Sequence, residues 1–264
     1  MASGNQINNV STLTVIGVGN CKISLELVYK SINNFDTLLR VKAPWGIKGL
    51  SKASSKKSKS LRCSSINAVI IDVQILPMKV INIKVYSNGK FHITGVRDIH
   101  QAELGIFEIF KAIPKEAYEI NPPDKKIVIF FKIVMKNINF DVGFCVRREK
   151  VDEFFHDNTN FVTSFESSIN SGVTLKYPLL DDNELMTDVI TIDPNLRFYF
   201  EDKIPTEEKK ELMCFGKAEK WHSLRLFRSG KCIFSSRGRE FADVHNLFMK
   251  IITEHRDVFE EKKP

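Results

Sequence analysis

Lys84-Val85-Tyr86-Ser87-Asn88-Gly89-Lys90-Phe91-His92-Ile93-Thr94-Gly95 is two alternating runs around a turn. Asn-Gly between such runs is a strong hairpin signal and predicts a type I′ turn, whose central residues both need positive φ. The pattern returns as Arg225-Leu226-Phe227-Arg228-Ser229-Gly230-Lys231-Cys232-Ile233-Phe234-Ser235-Ser236. Gly89 falls on Gly230, an offset of 141 residues that also sets Ile106 on Leu247 and Phe107 on Phe248. Successive strand side chains point to opposite faces. Ile83, Val85, Phe91 and Ile93 are therefore expected under a helix, with Leu224, Leu226, Cys232 and Phe234 as counterparts. The opposite, open face then carries Lys84, Tyr86, His92 and Thr94 in one copy, and Arg225, Phe227, Ile233 and Ser235 in the other. Cations, an aromatic and small or β-branched groups suit a nucleic-acid groove, where apolar wedges enter base steps and cations meet phosphates.

Outward from the hairpins, residues 12–18 alternate as a strand, and residues 24–39 have the apolar spacing of one helix or two short ones. Residues 66–73 and 80–86 read as strands, and Asp98 is placed to cap a helix over residues 99–113. The second half reads as a strand over 126–144, a helix over 147–155, strands over 172–177, 224–227 and 232–235, and a helix over 241–252. Strand–helix–strand–strand–strand–helix, used twice, predicts an α+β fold of two repeats with one sheet face covered by helices. Repeat 1 is placed at 12–120, with a basic Ser/Lys insertion at about 46–62. Repeat 2 is placed at 121–260, with an acidic insertion at about 179–220 in which Asp193-Pro194-Asn195 joins two short strands.

The chain has 264 residues, 39 Lys and Arg against 32 Asp and Glu, a formal charge of +7 and a hydrophobic fraction of 43%. That fraction excludes wholesale disorder. Residues 40–62 hold eight cations and no acid, contributing +8 and leaving −1 for the rest of the chain. Residues 179–220 hold eleven acids against six cations. Cys21, Cys63, Cys145, Cys214 and Cys232 are odd in number, widely spaced and without a CxxC, which argues against a disulfide framework or a zinc site. No signal-peptide core, membrane span, nucleophile elbow or phosphate loop is visible, so the expectation is an intracellular, non-enzymatic protein without a cofactor.

At these residues the chain resembles the TATA-box-binding proteins. Val85-Tyr86-Ser87-Asn88-Gly89-Lys90 to Thr94-Gly95, and Leu226-Phe227-Arg228-Ser229-Gly230-Lys231, are similar to the family's aromatic–x–Ser–Gly–Lys…Thr–Gly motif. Phe165-Glu166 with Gly172-Val173-Thr174-Leu175-Lys176-Tyr177-Pro178, Ala68-Val69-Ile70-Ile71, and Cys21-Lys22-Ile23-Ser24-Leu25 resemble other family segments in the same order. The insertions and the Lys/Ile/Asn-rich composition look most like the family's counterparts in large nucleocytoplasmic DNA viruses.

The resemblance implies a pseudo-twofold saddle whose concave sheet binds and bends A·T-rich DNA through the minor groove. It also implies docking of viral RNA polymerase or TFIIB-like initiation factors, a monomer, no membrane, and a setting in a viral factory, the nucleus or the virion. Carried over, Tyr86 and Phe227 are the wedging aromatics, with aliphatic partners at Ile66 and Ile169. Lys90, Lys176 and Lys231 meet phosphate, as do Lys84 and Arg225, which replace family leucines. His92, Thr94, Ile233 and Ser235 line the groove. The position matching Lys176 in the first repeat is Asp72, and the family's paired asparagines fall near Thr12 and Met135, with Asn9 and Asn137 close by. The alternative is a protein-interaction scaffold that keeps the saddle and has little DNA binding of its own. The missing phenylalanines and asparagines, Asp72 and the acidic insertion favour it.

Overall fold

The computed structural model describes residues 10–49, 67–121, 126–168, 171–179, 188–192, 198–201, 221–236 and 241–261. The chain forms two compact units: Leu13–Val134 with Met186–Cys214, and Met1–Thr12 with Met135–Leu185 and Phe215–Pro264. The predicted α+β class is what is observed.

In the first unit, β1 (Val10–Gly19) lies between β9 (Ile127–Asp141) and β7 (Lys90–Val96). The sheet continues through β6 (Lys79–Tyr86), β5 (Ala68–Leu76) and β3 (Leu38–Ala43) to β4 (Gly46–Gly49). Helices α1 (Leu25–Ser31) and α2 (Ile99–Ala112) pack on one face. Asp98 caps α2 as predicted, accepting from the Gln101 N–H at 2.8 Å. Ile83, Val85, Phe91 and Ile93 are fully buried with Ile106, Ile109 and Phe110 of the helix, and the Phe91 and Phe110 rings meet edge to face at 6.0 Å. Each such side chain contributes about 1.5–3 kcal/mol on burial. A small ladder joins β2 (Cys21–Ile23) to β8 (Tyr118–Ile120).

In the second unit, residues 135–141 of β9 neighbour β15 (Lys231–Ser236), followed by β14 (Trp221–Phe227), β11 (Gly172–Pro178) and β10 (Val162–Ser164). Helices α3 (Arg148–Asn158), α4 (Phe241–Glu254) and α5 (Arg256–Phe259) enclose the core. Leu224, Leu226, Cys232 and Phe234 are buried there, as the alternation predicts. Phe155 anchors the core, with the rings of Phe161, Phe248 and Phe259 at 5.3, 5.8 and 6.1 Å.

Several expectations are corrected. The region read as one long or two short helices keeps only α1; Leu38 begins β3 instead, because Asn33 caps the helix end through the Lys30 carbonyl and Leu38 and Val41 then alternate into the core. The first four residues of the expected basic insertion, 46–49, form β4; residues 50–62 lie outside the described residues. Each unit also has a strand beyond the predicted pattern, β3 in the first and β10 in the second. The helix correspondence shifts by one: Ala102, Ile106 and Phe110 match Val244, Phe248 and Ile252, while Leu247 is exposed. The connection into α4 is therefore one residue longer. In the acidic segment, β12 (Asp188–Ile192) and β13 (Phe198–Glu201) pair antiparallel as a hairpin, and its turn lies outside the described residues. Expected as part of the second repeat, β12 pairs with residues 127–131 of β9, inside the first unit.

The hairpin turns are not type I′. The Gly89 N–H donates to the Tyr86 carbonyl at 3.2 Å, and Gly230 to Phe227 at 2.9 Å. The four-residue turns thus begin at the aromatics and end on glycines with φ of 75° and 84°, the three-residue hairpin loop. A Cβ at Gly89 would strike the Cys21 carbonyl oxygen, and one at Gly230 that of Phe144. Gly89→Ala is therefore expected to cost about 1–3 kcal/mol, read as a lower urea midpoint; an unchanged midpoint overturns this account of the turn.

Candidate nucleic-acid interface

Among the described residues, helices cover one sheet face in each unit and leave the other open, and the side chains predicted for that other face are there. In the first unit Lys84 pairs in register with His92, and Asn82 with Thr94. Lys90, His92 and Thr94 in turn face Val18, Ile16 and Thr14 of β1. In the second unit Arg225 stands between Thr174 and Ile233. Lys176 and Ser235 flank Ser223, and Lys231 lies opposite Asp141. Ile66 and Ile169 lie outside the described residues.

Tyr86 and Phe227 each end a strand just before the left-handed glycine turn. Each ring faces a small residue across the ladder, Ala68 for Tyr86 and Gly172 for Phe227. A Cβ on Gly172 would come within 3.2 Å of the Phe227 ring. Both rings stay partly exposed, so an apolar edge is presented at a strand end next to cations.

Asp72, read from sequence as an unfavourable charge, is neutralised. Arg40 Nε donates to one carboxylate oxygen at 2.6 Å, and Asn82 Nδ2 to the other at 2.7 Å. The Arg40 guanidinium also closes an ion pair with it. Arg40 is thereby committed to β5 and withdrawn from the basic stretch it opens.

Two features of these faces add to the sequence reading, in which Asn137 is named beside Met135. Asn137 accepts from the Ser235 hydroxyl at 2.7 Å and donates to Thr12 Oγ1 at 3.2 Å. Facing Ser235 as Thr14 faces Thr94, it is the second unit's counterpart of Thr14. The signal was a slip in β9: Ile127, Ile129 and Phe131 are buried, and then Ile138, so the alternation changes phase between 131 and 138. Reading residues 126–144 as one uninterrupted strand hides it. The second feature is an apolar cluster on the first unit's open face, where Ile16 and Val128 pack with the buried Val18 and Phe130.

His92 is half-buried, and its Nδ1 has no hydrogen-bond partner among the described residues. Burial, and then the Lys84 ammonium, push its pKa below the ordinary 6.5, so the ring is neutral at pH 7. Burial pushes the Cys21 thiol up to about 12 and the Cys232 thiol up as well, making both unreactive core groups. Among the described residues no group of three or more His, Cys, Asp or Glu is placed to hold a metal.

No family model and no curated protein matches the chain. Among solved structures it is similar to the TBP of Methanococcus jannaschii, with 15% identity and a TM-score of 0.49, over 93% of this chain and 98% of that one.

A His with a depressed folded pKa takes up fewer protons folded than unfolded, so its contribution is intact above about pH 6.5 and declines as the pH falls below it. His245, shifted down mainly by burial, acts the same way. The urea midpoint is expected to fall between pH 7.5 and 5, and His92→Gln to remove part of that fall. An identical decline in the variant overturns the assignment to His92.

Proposed function

We propose that this protein is a non-enzymatic, TATA-binding-protein-like initiation factor that binds and bends A·T-rich promoter DNA through the minor groove and helps recruit an RNA polymerase. The observation that carries the reading is the matched set on the two open faces. Lys84, Tyr86 and Lys90 recur as Arg225, Phe227 and Lys231, each aromatic opposite a small residue and beside a left-handed turn glycine. Lys84, Lys90, Lys176, Arg225 and Lys231 meet phosphates. Tyr86 and Phe227 wedge base steps, with Ile66 and Ile169 as their aliphatic partners. His92, Thr94, Ile233 and Ser235 line the groove, joined now by Asn137. Its side chain is held by Ser235 and Thr12, and a fixed amide suits a groove that distinguishes A·T from G·C but little else. Unstacking costs a few kcal/mol per step, offset by the wider contact that the bend permits. The partners are viral RNA polymerase or TFIIB-like factors, the setting a viral factory or nucleus, and the molecule acts as a monomer.

One observation favours a second reading, the interaction scaffold. Thr14, Val18 and Phe130 on the first unit's open face are only 7%, 8% and 9% exposed, which leaves little of that strip for a ligand. DNA binding would then require partner proteins.

Gel shifts and end-labelled bending assays on A·T-rich duplexes separate the two. Phe227→Ala is expected to lose about 1–3 kcal/mol of affinity together with most of the bend. Arg225→Ala is expected to weaken binding to all sequences and flatten the salt dependence by about one phosphate contact. If the Phe227 variant binds and bends like the parent, the wedge mechanism fails. If the parent shifts duplex only with polymerase or initiation factors added, the scaffold is correct.

A further inference from the structure

The two glycine turns are held in the same backbone frame. The Ile23 N–H donates to the Ser87 carbonyl at 2.9 Å, and the Val146 N–H to the Arg228 carbonyl at 2.8 Å. Ser87 and Arg228 are therefore counterparts, as are Ile23 and Val146. A third segment, following the helix of each unit, closes the frame. Lys22 pairs in register with Glu119 in the β2–β8 ladder, and the Glu261 N–H donates to the Cys145 carbonyl at 2.8 Å. Glu119 therefore stands where Glu261 stands, 142 residues apart (119 to 261), the spacing that also relates Ala102 to Val244 in the helices.

The side chains in the two frames differ. In the second unit Arg228 Nε donates to Glu261 Oε2 at 2.7 Å and its Nη2 to Oε1, a two-pronged pair. In the first unit the turn offers only Ser87, and neither Glu119 nor Lys22 makes an ion pair or side-chain hydrogen bond among the described residues. Where the second unit has its guanidinium, the first has a groove of about 560 Å³, lined by Lys22, Ser24, Ser87, Glu116, Tyr118 and Glu119. That volume lies within the range of about 300–1,000 Å³ over which clefts hold ligands. Two carboxylates against one ammonium leave the groove net negative. Tyr118 is half-buried, and its ring is fixed edge to face against Phe110 at 5.3 Å. A guanidinium forks onto a carboxylate and stacks on an aromatic ring, and an ammonium does not fork. The second unit itself shows which side chain this frame places against its carboxylate.

We propose that the groove between the Ser87-Asn88 turn and the β2–β8 ladder is a docking site for an arginine-bearing peptide segment of a partner protein, whose guanidinium takes on Glu119 the place that Arg228 takes on Glu261. The groove lies wholly in the first unit, and the proposal does not depend on the assignment of the open faces to duplex DNA.

The probe is the pentapeptide acetyl-Gly-Ser-Arg-Ser-Gly-amide, titrated into the isotope-labelled full-length protein and followed by the backbone amide resonances of Lys22, Ser87 and Glu119. Saturable shifts at those positions are expected, and the affinity is expected to fall as salt is raised. The citrulline peptide, which keeps the shape and loses the charge, is expected to give none, and the lysine peptide to bind more weakly. Glu119→Gln is expected to lower affinity roughly three- to tenfold with an unchanged urea midpoint. Ser87→Arg is expected to lower it as well, because the turn then supplies its own guanidinium to Glu119. Duplex binding and bending are expected to survive Glu119→Gln, so the groove and the open face fail separately. The proposal is overturned if the arginine peptide leaves those resonances unmoved, if the citrulline peptide shifts them equally, or if Glu119→Gln binds it as tightly as the parent.

Discussion

Packing of one strand face under helices governs the rest of the molecule. Ile83, Val85, Phe91 and Ile93 are wholly inaccessible in the first unit, as are Leu224, Leu226 and Phe234 in the second. Side chains alternate with a period of two, so a one-residue slip would carry Lys84 and Tyr86, or Arg225 and Phe227, into those cores. Burying an unpaired ammonium or guanidinium costs far more than any surface contact returns. The register is therefore held from the helix side, and the open faces inherit their composition. The turn glycines reinforce it at the strand ends, because the backbone approaches there too closely for a side chain.

One scaffold carries two different chemistries. Where the first unit has Thr14 opposite Thr94 and His92 opposite Lys84, the second has Asn137 opposite Ser235 and Ile233 opposite Arg225. The second face holds a fixed polar network; the first holds a neutral imidazole beside an apolar cluster. Charge is distributed differently again. The formal +7 is a property of residues 40–62, and of its cations Arg40 is tied to Asp72 and Lys48 to the end of α1. Cations repeated at matching strand positions carry the open-face reading, and it would stand with that stretch removed.

The central hairpins and their faces were legible because strong alternation, a turn glycine and a helix with a clean apolar stripe all agreed on one arrangement. The edge was not. Arg40, Lys42 and Lys48 give β3 and β4 a polar, basic texture that reads as loop, since an edge strand needs only one apolar flank. The 123-residue offset that sets Thr12 on Met135 also sets Thr14 on Asn137, but that Asn137 stands on the open face was hidden by the phase change inside β9, which no Gly or Pro in residues 127–141 marks. The helix offset failed by one for a similar reason: a connection can gain a residue without altering either flanking pattern. Neutralisation of Asp72 joins residues 32 apart, and it became visible only once β3 lay beside β5.

The acidic segment has the least expected place. Read from sequence as an insertion in the second repeat, it contributes β12, whose Ile190 and Ile192 are fully buried and lie opposite Ile129 and Ile127. Helix α2 packs on this strand as it does on β5 and β7. Those two isoleucines alone are worth on the order of 3–6 kcal/mol of burial, comparable to the whole net stability of many domains. A segment that supplies so much of the core cannot be an optional appendage, whatever its charges do. Its sequence separates the two roles: Val189-Ile190-Thr191-Ile192 is uncharged, while eleven acids are spread over 179–220 as a whole. The apolar strand explains why β12 is held in the first unit.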